Sequence, residues 1–201
     1  TSKAVQNILN VRQPDCGFLA DSMAYSQGQE MPISEQLIQP KAEGEIAFIL
    51  KKDLLGPGIT NADVLAATDC VIPCFEVVDS RIENWQIKIQ DTVADNASSG
   101  VFVLGDATRW QGGIDLAKIR MTMTRNGTEV SSGSGAECLG HPFNAAVWLA
   151  RTMSKLGQPL KAGDIVLTGA LGPMVTVEPG DQFEVQITEI GRVSTQFSNP
   201  V

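Results

Sequence analysis

Apolar positions in this chain fall in short blocks separated by Gly, Pro, Asn and Asp. Two dense blocks, 43–50 and 70–79, predict buried strands. Between them a Gly/Pro loop over 53–59 gives way to Thr60 followed by Asp63, an N-cap signature for a short helix over 62–68. A further strand is expected at 101–104. Alternation over 119–130 about Asn126-Gly127 predicts a hairpin, because Asn-Gly readily adopts the left-handed backbone of a tight turn. His141-Pro142 opens a helix that runs to Lys155, with Ala145, Trp148, Leu149 and Met153 on an apolar side and Gly157 as its stop. Four short strands follow, at 164–168, 175–177, 183–187 and 193–197. A weak helical pattern lies in 1–13; 91–100 and 131–135 read as loops, the second flexible by composition. Many short strands with two helices outside them predict a β-sandwich or rolled barrel.

The first dense block carries unusual polar residues. In Lys41-Ala42-Glu43-Gly44-Glu45-Ile46-Ala47-Phe48-Ile49-Leu50, strand alternation puts Glu43 and Glu45 on one face and Ile46, Phe48 and Leu50 on the other. Two like charges at that spacing stay in water or are neutralised by a cation, and a hard ion such as Mg²⁺ suits oxygen ligands. The second block, Cys70-Val71-Ile72-Pro73-Cys74-Phe75-Glu76-Val77-Val78-Asp79, also buries a carboxylate among apolar residues. Glu76 must therefore reach solvent, a cation or a metal. Asp79 reads equally as an Arg81-paired turn residue or as a catalytic one. On a straight strand it would face away from Glu76, and it would then be structural. Asp15 and Asp21 read as turn caps, and His141 as a helix cap.

Composition narrows the function. The chain has 201 residues, 43% of them hydrophobic, and a net charge of −8, enough for one domain with a substantial core. With no basic cluster beyond Lys51-Lys52, neither nucleic acid nor a membrane is expected as a partner. The four cysteines form no CxxC pair and sit in apolar surroundings, so they read as buried, reduced thiols of a cytoplasmic protein. A single histidine excludes a multi-histidine zinc site. No nucleophile-elbow, dinucleotide-binding or Walker pattern occurs.

Four segments in order resemble the 2-keto-4-pentenoate hydratases, in the hydratase/decarboxylase branch of the fumarylacetoacetate hydrolase superfamily. They are Gln39-Pro40-Lys41-Ala42-Glu43-Gly44-Glu45-Ile46-Ala47, Glu76-Val77-Val78-Asp79-Ser80-Arg81, Asp91-Thr92-Val93-Ala94-Asp95-Asn96-Ala97-Ser98 and Thr168-Gly169-Ala170-Leu171-Gly172-Pro173. The resemblance implies an α+β, mainly β fold: a mixed β-sandwich roll of the fumarylacetoacetate hydrolase C-terminal type with a few peripheral helices. It implies one Mg²⁺ or Mn²⁺ held by Glu43, Glu45 and Glu76, and hydration of a 2-hydroxy-2,4-dienoate in meta-cleavage catabolism of aromatic compounds or sterols. Asp79 and Asp15 match as acid/base groups, and Ser98 and the backbone around Asn96, with Thr168 less strongly, as the groups that hold the substrate carboxylate. A homo-oligomer, with a pathway enzyme as a further partner, is the expected assembly.

The family pattern also has a Lys-Ile-Gly-Leu-Thr-Ser segment, and Thr1-Ser2 falls within it. The reading is therefore of a single catalytic domain, 1–201, that lacks an N-terminal segment and its lysine. Two other activities fit the same residues less well. One is 4-oxalocrotonate decarboxylase, whose metal site is similar; the other is a noncatalytic subunit of a hydratase/decarboxylase complex.

Overall fold

The two dense apolar blocks become the longest strands of the protein and lie side by side. The computed structural model describes residues 2–8, 12–33 and 37–198. Along them run α1 (Lys3–Ile8), β1 (Ala24–Tyr25), β2 (Glu30–Met31), β3 (Lys41–Leu50), α2 (Asn61–Ala67), β4 (Thr68–Val78), α3 (Ile89–Ala94) and β5 (Ser99–Leu104). There follow β6 (Thr108–Arg109), β7 (Arg120–Arg125), β8 (Thr128–Ser134), α4 (Pro142–Lys155), β9 (Ile165–Leu167), β10 (Val175–Thr176), β11 (Gln182–Ile187) and β12 (Gly191–Phe197).

One sheet has the order β1-β5-β4-β3-β10, with β6 added to β4 and β9 to β3; the other has the order β2-β12-β11-β7-β8. The β1–β5 and β2–β12 pairs are parallel and the rest antiparallel, so both sheets are mixed. This is the expected mixed roll with helices at its edge.

Alternation along the strands divides the molecule into two sides. Ala42, Ile46, Phe48 and Leu50 of β3 join Phe75 and Val77 of β4 in the core between the sheets. There Phe75 meets Phe183 at 5.5 Å, and Phe183 meets Phe197 edge-on at 5.9 Å. On the other face Ala47, Ile72, Cys74 and Phe102 form a separate, smaller apolar cluster. Gly44 belongs to the inner face. A Cβ there would lie 3.0 Å from Met121 Sδ and 3.1 Å from Val185 Cγ1, so its missing side chain lets the sheets close.

The expected caps form. Asp63 accepts from Thr60 N–H at 2.7 Å at the start of α2, and His141 Nδ1 accepts from Phe143 N–H at 3.0 Å at the start of α4. Two loop expectations fail. The 131–135 stretch is strand β8 as far as Ser134, and Gly133 and Gly135 are pressed against the carbonyls of Leu171 and Leu116. Small residues here serve close packing, which composition alone does not separate from flexibility. The 91–100 stretch holds most of α3 and a turn in which Asn96, Ala97 and Ser98 all have φ between 55° and 59°. Of the cysteines, Cys74 and Cys138 are buried as expected, but Cys16 and Cys70 are only half-buried. Among the described residues no helix is long and apolar enough to cross a membrane. Part of the 1–13 helical pattern, residues 9–11, lies outside the described residues.

Candidate active site and metal centre

Glu43 and Glu45 leave β3 on the face opposite the core, and Glu76 leaves β4 as the register partner of Glu43. One carboxylate oxygen from each of the three lies within 4.8 Å of the others. Each acid is steadied by one donor or by packing. Glu45 Oε2 accepts from Gly169 N–H at 2.8 Å, and Glu76 Oε1 accepts from Ser99 Oγ at 2.8 Å. Glu43 is 5% exposed and Glu45 1%, yet Glu43 Oε1 and Glu45 Oε1 have no hydrogen-bond partner.

This is an expensive arrangement for a metal-free protein, because unpaired buried carboxylates resist ionisation. Burial, and then the charge of Glu76, pushes the Glu43 carboxyl up to about 8. Burial, Glu76 and Glu43 hold Glu45 well above the usual carboxylate range, against the pull of the Gly169 N–H. Glu76 is raised by burial and partly relieved by Ser99. Among the described residues no ion pair reaches the three glutamates. The cation nearest in sequence, Lys41, lies with its Nζ 4.6 Å over the Trp85 ring. Two orphaned oxygens and a third carboxylate beside them make a donor set that fits a hard divalent cation.

The glutamates open into a cavity of about 730 Å³. Its polar wall includes Asp15 and Ser98, and its apolar wall includes Leu19, Phe102 and Leu104. Asp15 comes from an extended loop and Ser98 from the turn after α3. The two segments are tied together: Asn96 Oδ1 accepts from Phe18 N–H at 2.8 Å, and Asn96 Nδ2 donates to Phe18 O at 2.9 Å. Gly17 is what lets them touch, since a Cβ there would collide with the Asn96 carbonyl.

Two of the residues singled out in the sequence have other duties. Asp79 is fully buried and lies outside the cavity wall. Its oxygens accept from Ile38 N–H at 2.9 Å and Gln39 N–H at 2.6 Å, fixing the segment that leads into β3. β4 ends at Val78 after a register shift at Val77/Val78, so strand alternation does not extend to Asp79; its two backbone donors are what hold it away from the cavity. The Asn96 side chain is not on the cavity wall, its amide being spent on Phe18, while the adjoining Ala97, Ser98 and Ser99 line the cavity. Thr168 borders the cavity but donates its hydroxyl to Ile46 O at 2.9 Å. Three contributors escaped the sequence reading: Ser99, the Gly169 N–H and Thr92. Only the Asp91-Thr92-Val93-Ala94-Asp95-Asn96 wording pointed toward Thr92, and nothing local distinguished it from a solvated helix residue.

The family description "Fumarylacetoacetate (FAA) hydrolase C-terminal" matches residues 2–198. A 2-hydroxyhexa-2,4-dienoate hydratase of Comamonas testosteroni is 55% identical over 199 residues, covering 98% of this chain and 75% of the relative. A 2-hydroxypent-2,4-dienoate hydratase of Pseudomonas putida is 65% identical over 157 residues, covering 78% of this chain and 71% of its own length. Among solved structures, a 4-oxalocrotonate decarboxylase from Pseudomonas putida G7, complexed with magnesium and adipate, superposes with a TM-score of 0.91 at 39% identity. That superposition covers 98% of this chain and 74% of the decarboxylase.

Proposed function

Because the chain belongs to the fumarylacetoacetate hydrolase family, we propose that its acidic cavity hydrates 2-hydroxy-2,4-dienoates to 4-hydroxy-2-oxoalkanoates in meta-cleavage catabolism. The single observation that carries the reading at the level of the site is the pair of buried, partnerless oxygens on Glu43 and Glu45 beside Glu76. Glu43, Glu45 and Glu76 would hold one Mg²⁺ or Mn²⁺. When bound, the cation supplies Lewis-acid polarisation of the substrate's carboxylate and adjacent enol oxygen.

The remaining work falls to this chain's own groups. Hydration of a dienol needs a proton delivered to carbon and a proton withdrawn from water or enol, so a group that both gives and takes one is required. Of the aspartates on the cavity wall, Asp15 is the one hydrogen-bonded to Thr92 beside Ser98, and it fills that role. Ser98 presents a hydroxyl to the same space and hydrogen-bonds the substrate's polar end. Leu19, Phe102 and Leu104 receive the hydrocarbon end of the substrate, where the water adds.

The test supplies Mg²⁺ with 2-hydroxypenta-2,4-dienoate and, separately, with 4-oxalocrotonate. Loss of the dienoate chromophore with formation of 4-hydroxy-2-oxopentanoate is the expected result. Release of CO₂ from oxalocrotonate without any hydration would replace this reading with the decarboxylase one, the activity of the 39%-identical protein that superposes on this chain.

A further inference from the structure

Thr92 is 3% exposed, on a short helix whose other hydrogen bonds do not need its side chain. Its hydroxyl nevertheless joins two polar residues of the cavity wall, Asp15 and Ser98. Thr92 Oγ1 donates to Asp15 Oδ2 at 2.9 Å and accepts from Ser98 Oγ at 3.3 Å. The direction of both bonds follows from counting hydrogens. An ionised carboxylate has none to give, so Thr92 must spend its only hydrogen on Asp15. Its oxygen then has only lone pairs left, so Ser98 must donate to Thr92. Ser98 consequently turns an acceptor, not a donor, toward the cavity.

Protonating Asp15 on Oδ2, with the hydrogen turned to Thr92, reverses the row; a proton on Oδ1 leaves Oδ2 accepting from Thr92 as before. The new carboxyl hydrogen points at Thr92, Thr92 donates to Ser98, and the Ser98 hydrogen is released toward the cavity. Each hydroxyl keeps its own hydrogen and only rotates; the single proton gained is the one Asp15 takes from water or substrate. We propose that Thr92 is a positioning residue that couples the protonation of Asp15 to whether Ser98 accepts or donates a hydrogen bond in the cavity. The coupling rests on the reading of Asp15 as the proton-transfer group. Its use is plain: when Asp15 has withdrawn a proton and negative charge grows on substrate oxygen, Ser98 becomes a donor to that oxygen.

Three features hold the row in register. The Asn96 amide and the bare Cα of Gly17 lock the Asp15 loop onto the turn after α3. Asn96, Ala97 and Ser98 keep left-handed backbone that non-glycine residues avoid unless surrounding contacts impose it. Thr92 itself is β-branched, which restricts χ1 and so aims its oxygen.

The experiment measures steady-state kinetics on the Mg²⁺-loaded protein, and Mg²⁺ affinity by calorimetric titration of the metal-free protein, for Thr92→Val, Thr92→Ser, Asp15→Asn, Ser98→Ala and the Thr92→Val/Ser98→Ala double variant. Thr92→Val keeps the shape and loses the hydroxyl. It is expected to lower kcat at least about tenfold, with KM and Mg²⁺ affinity within about twofold. Thr92→Ser should recover kcat to within about threefold. The double variant should lose no more than the worse single one, because either change already breaks the row.

A Thr92→Val enzyme with wild-type kcat, a Thr92→Ser enzyme as impaired as Thr92→Val, or a double variant whose losses multiply would each overturn the coupling. If Thr92→Val does not fold, Thr92→Ala must show the same selective kcat loss, and its absence overturns the coupling equally. Asp15→Asn separates the two levels: full activity there removes the proton-transfer reading itself, whereas its collapse beside a normal Thr92→Val removes the coupling alone.

Discussion

Glu45 in β3 and Asp79 just past the end of β4 sit at the same depth, 1% and 0% exposed, yet their oxygens are treated in opposite ways. Both oxygens of Asp79 accept backbone N–H groups. One oxygen of Glu45 accepts the Gly169 N–H, and the other accepts nothing, as does one oxygen of Glu43. A buried carboxylate whose lone pairs are filled by the main chain is an anchor for that main chain. One whose lone pairs are empty stores unfavourable energy that a bound cation releases. Charge and burial alone do not distinguish the two; the count of donors does.

Swapping each acid for a neutral residue should therefore have opposite effects. Glu45→Gln removes a repelled charge, so turnover should fall by at least about a thousandfold and calorimetric Mg²⁺ binding should vanish, while the metal-free melting temperature holds or rises. Retained Mg²⁺ binding would break the comparison at once. Asp79→Ala should do the reverse. It leaves the Ile38 and Gln39 N–H groups without their acceptor and costs about 3 kcal/mol of stability, read from denaturant melts, with kcat of the folded fraction little changed.

The pH dependence sharpens the same contrast. Glu43 ionises near 4.5 when unfolded but near 8 in the folded, metal-free protein. Below 4.5 both states hold the proton and its stabilising effect is complete. As pH rises from there through about 8, the folded state retains a proton that the unfolded chain has lost, so metal-free stability declines. Saturating Mg²⁺ should flatten that decline, and a metal-free melting profile level across this window would contradict the unpaired state of the acids.

Smaller effects belong to the other face of the strands and to the helix cap. Gly44→Ala should cost about 1–2 kcal/mol by pushing on Met121 and Val185, without touching the ligands on the outward face. His141→Ala should cost about 1 kcal/mol, the usual worth of a lost N-cap, and leave turnover alone. An activity loss larger than the stability loss in either variant would show that the two faces are not independent.

Much of this protein is legible from the chain because its signals are local. The two-residue period alone put Glu43 and Glu45 on one face, whereas Asp79 lies past the end of β4, where that period no longer applies. Asn126-Gly127 placed the β7–β8 turn, and Thr60 with Asp63 placed the start of α2. The errors came where one local composition serves two purposes: Gly133 and Gly135 read as flexible when they are packing contacts. What only the tertiary structure decided is who faces whom across long separations. Asp15 and Thr92 meet over 77 residues, and Gly169 reaches Glu45 over 124. Hydrogen bonds act over about 3 Å, and no sequence period encodes which distant donor arrives, or that for Glu43 and Glu45 one oxygen each is left waiting.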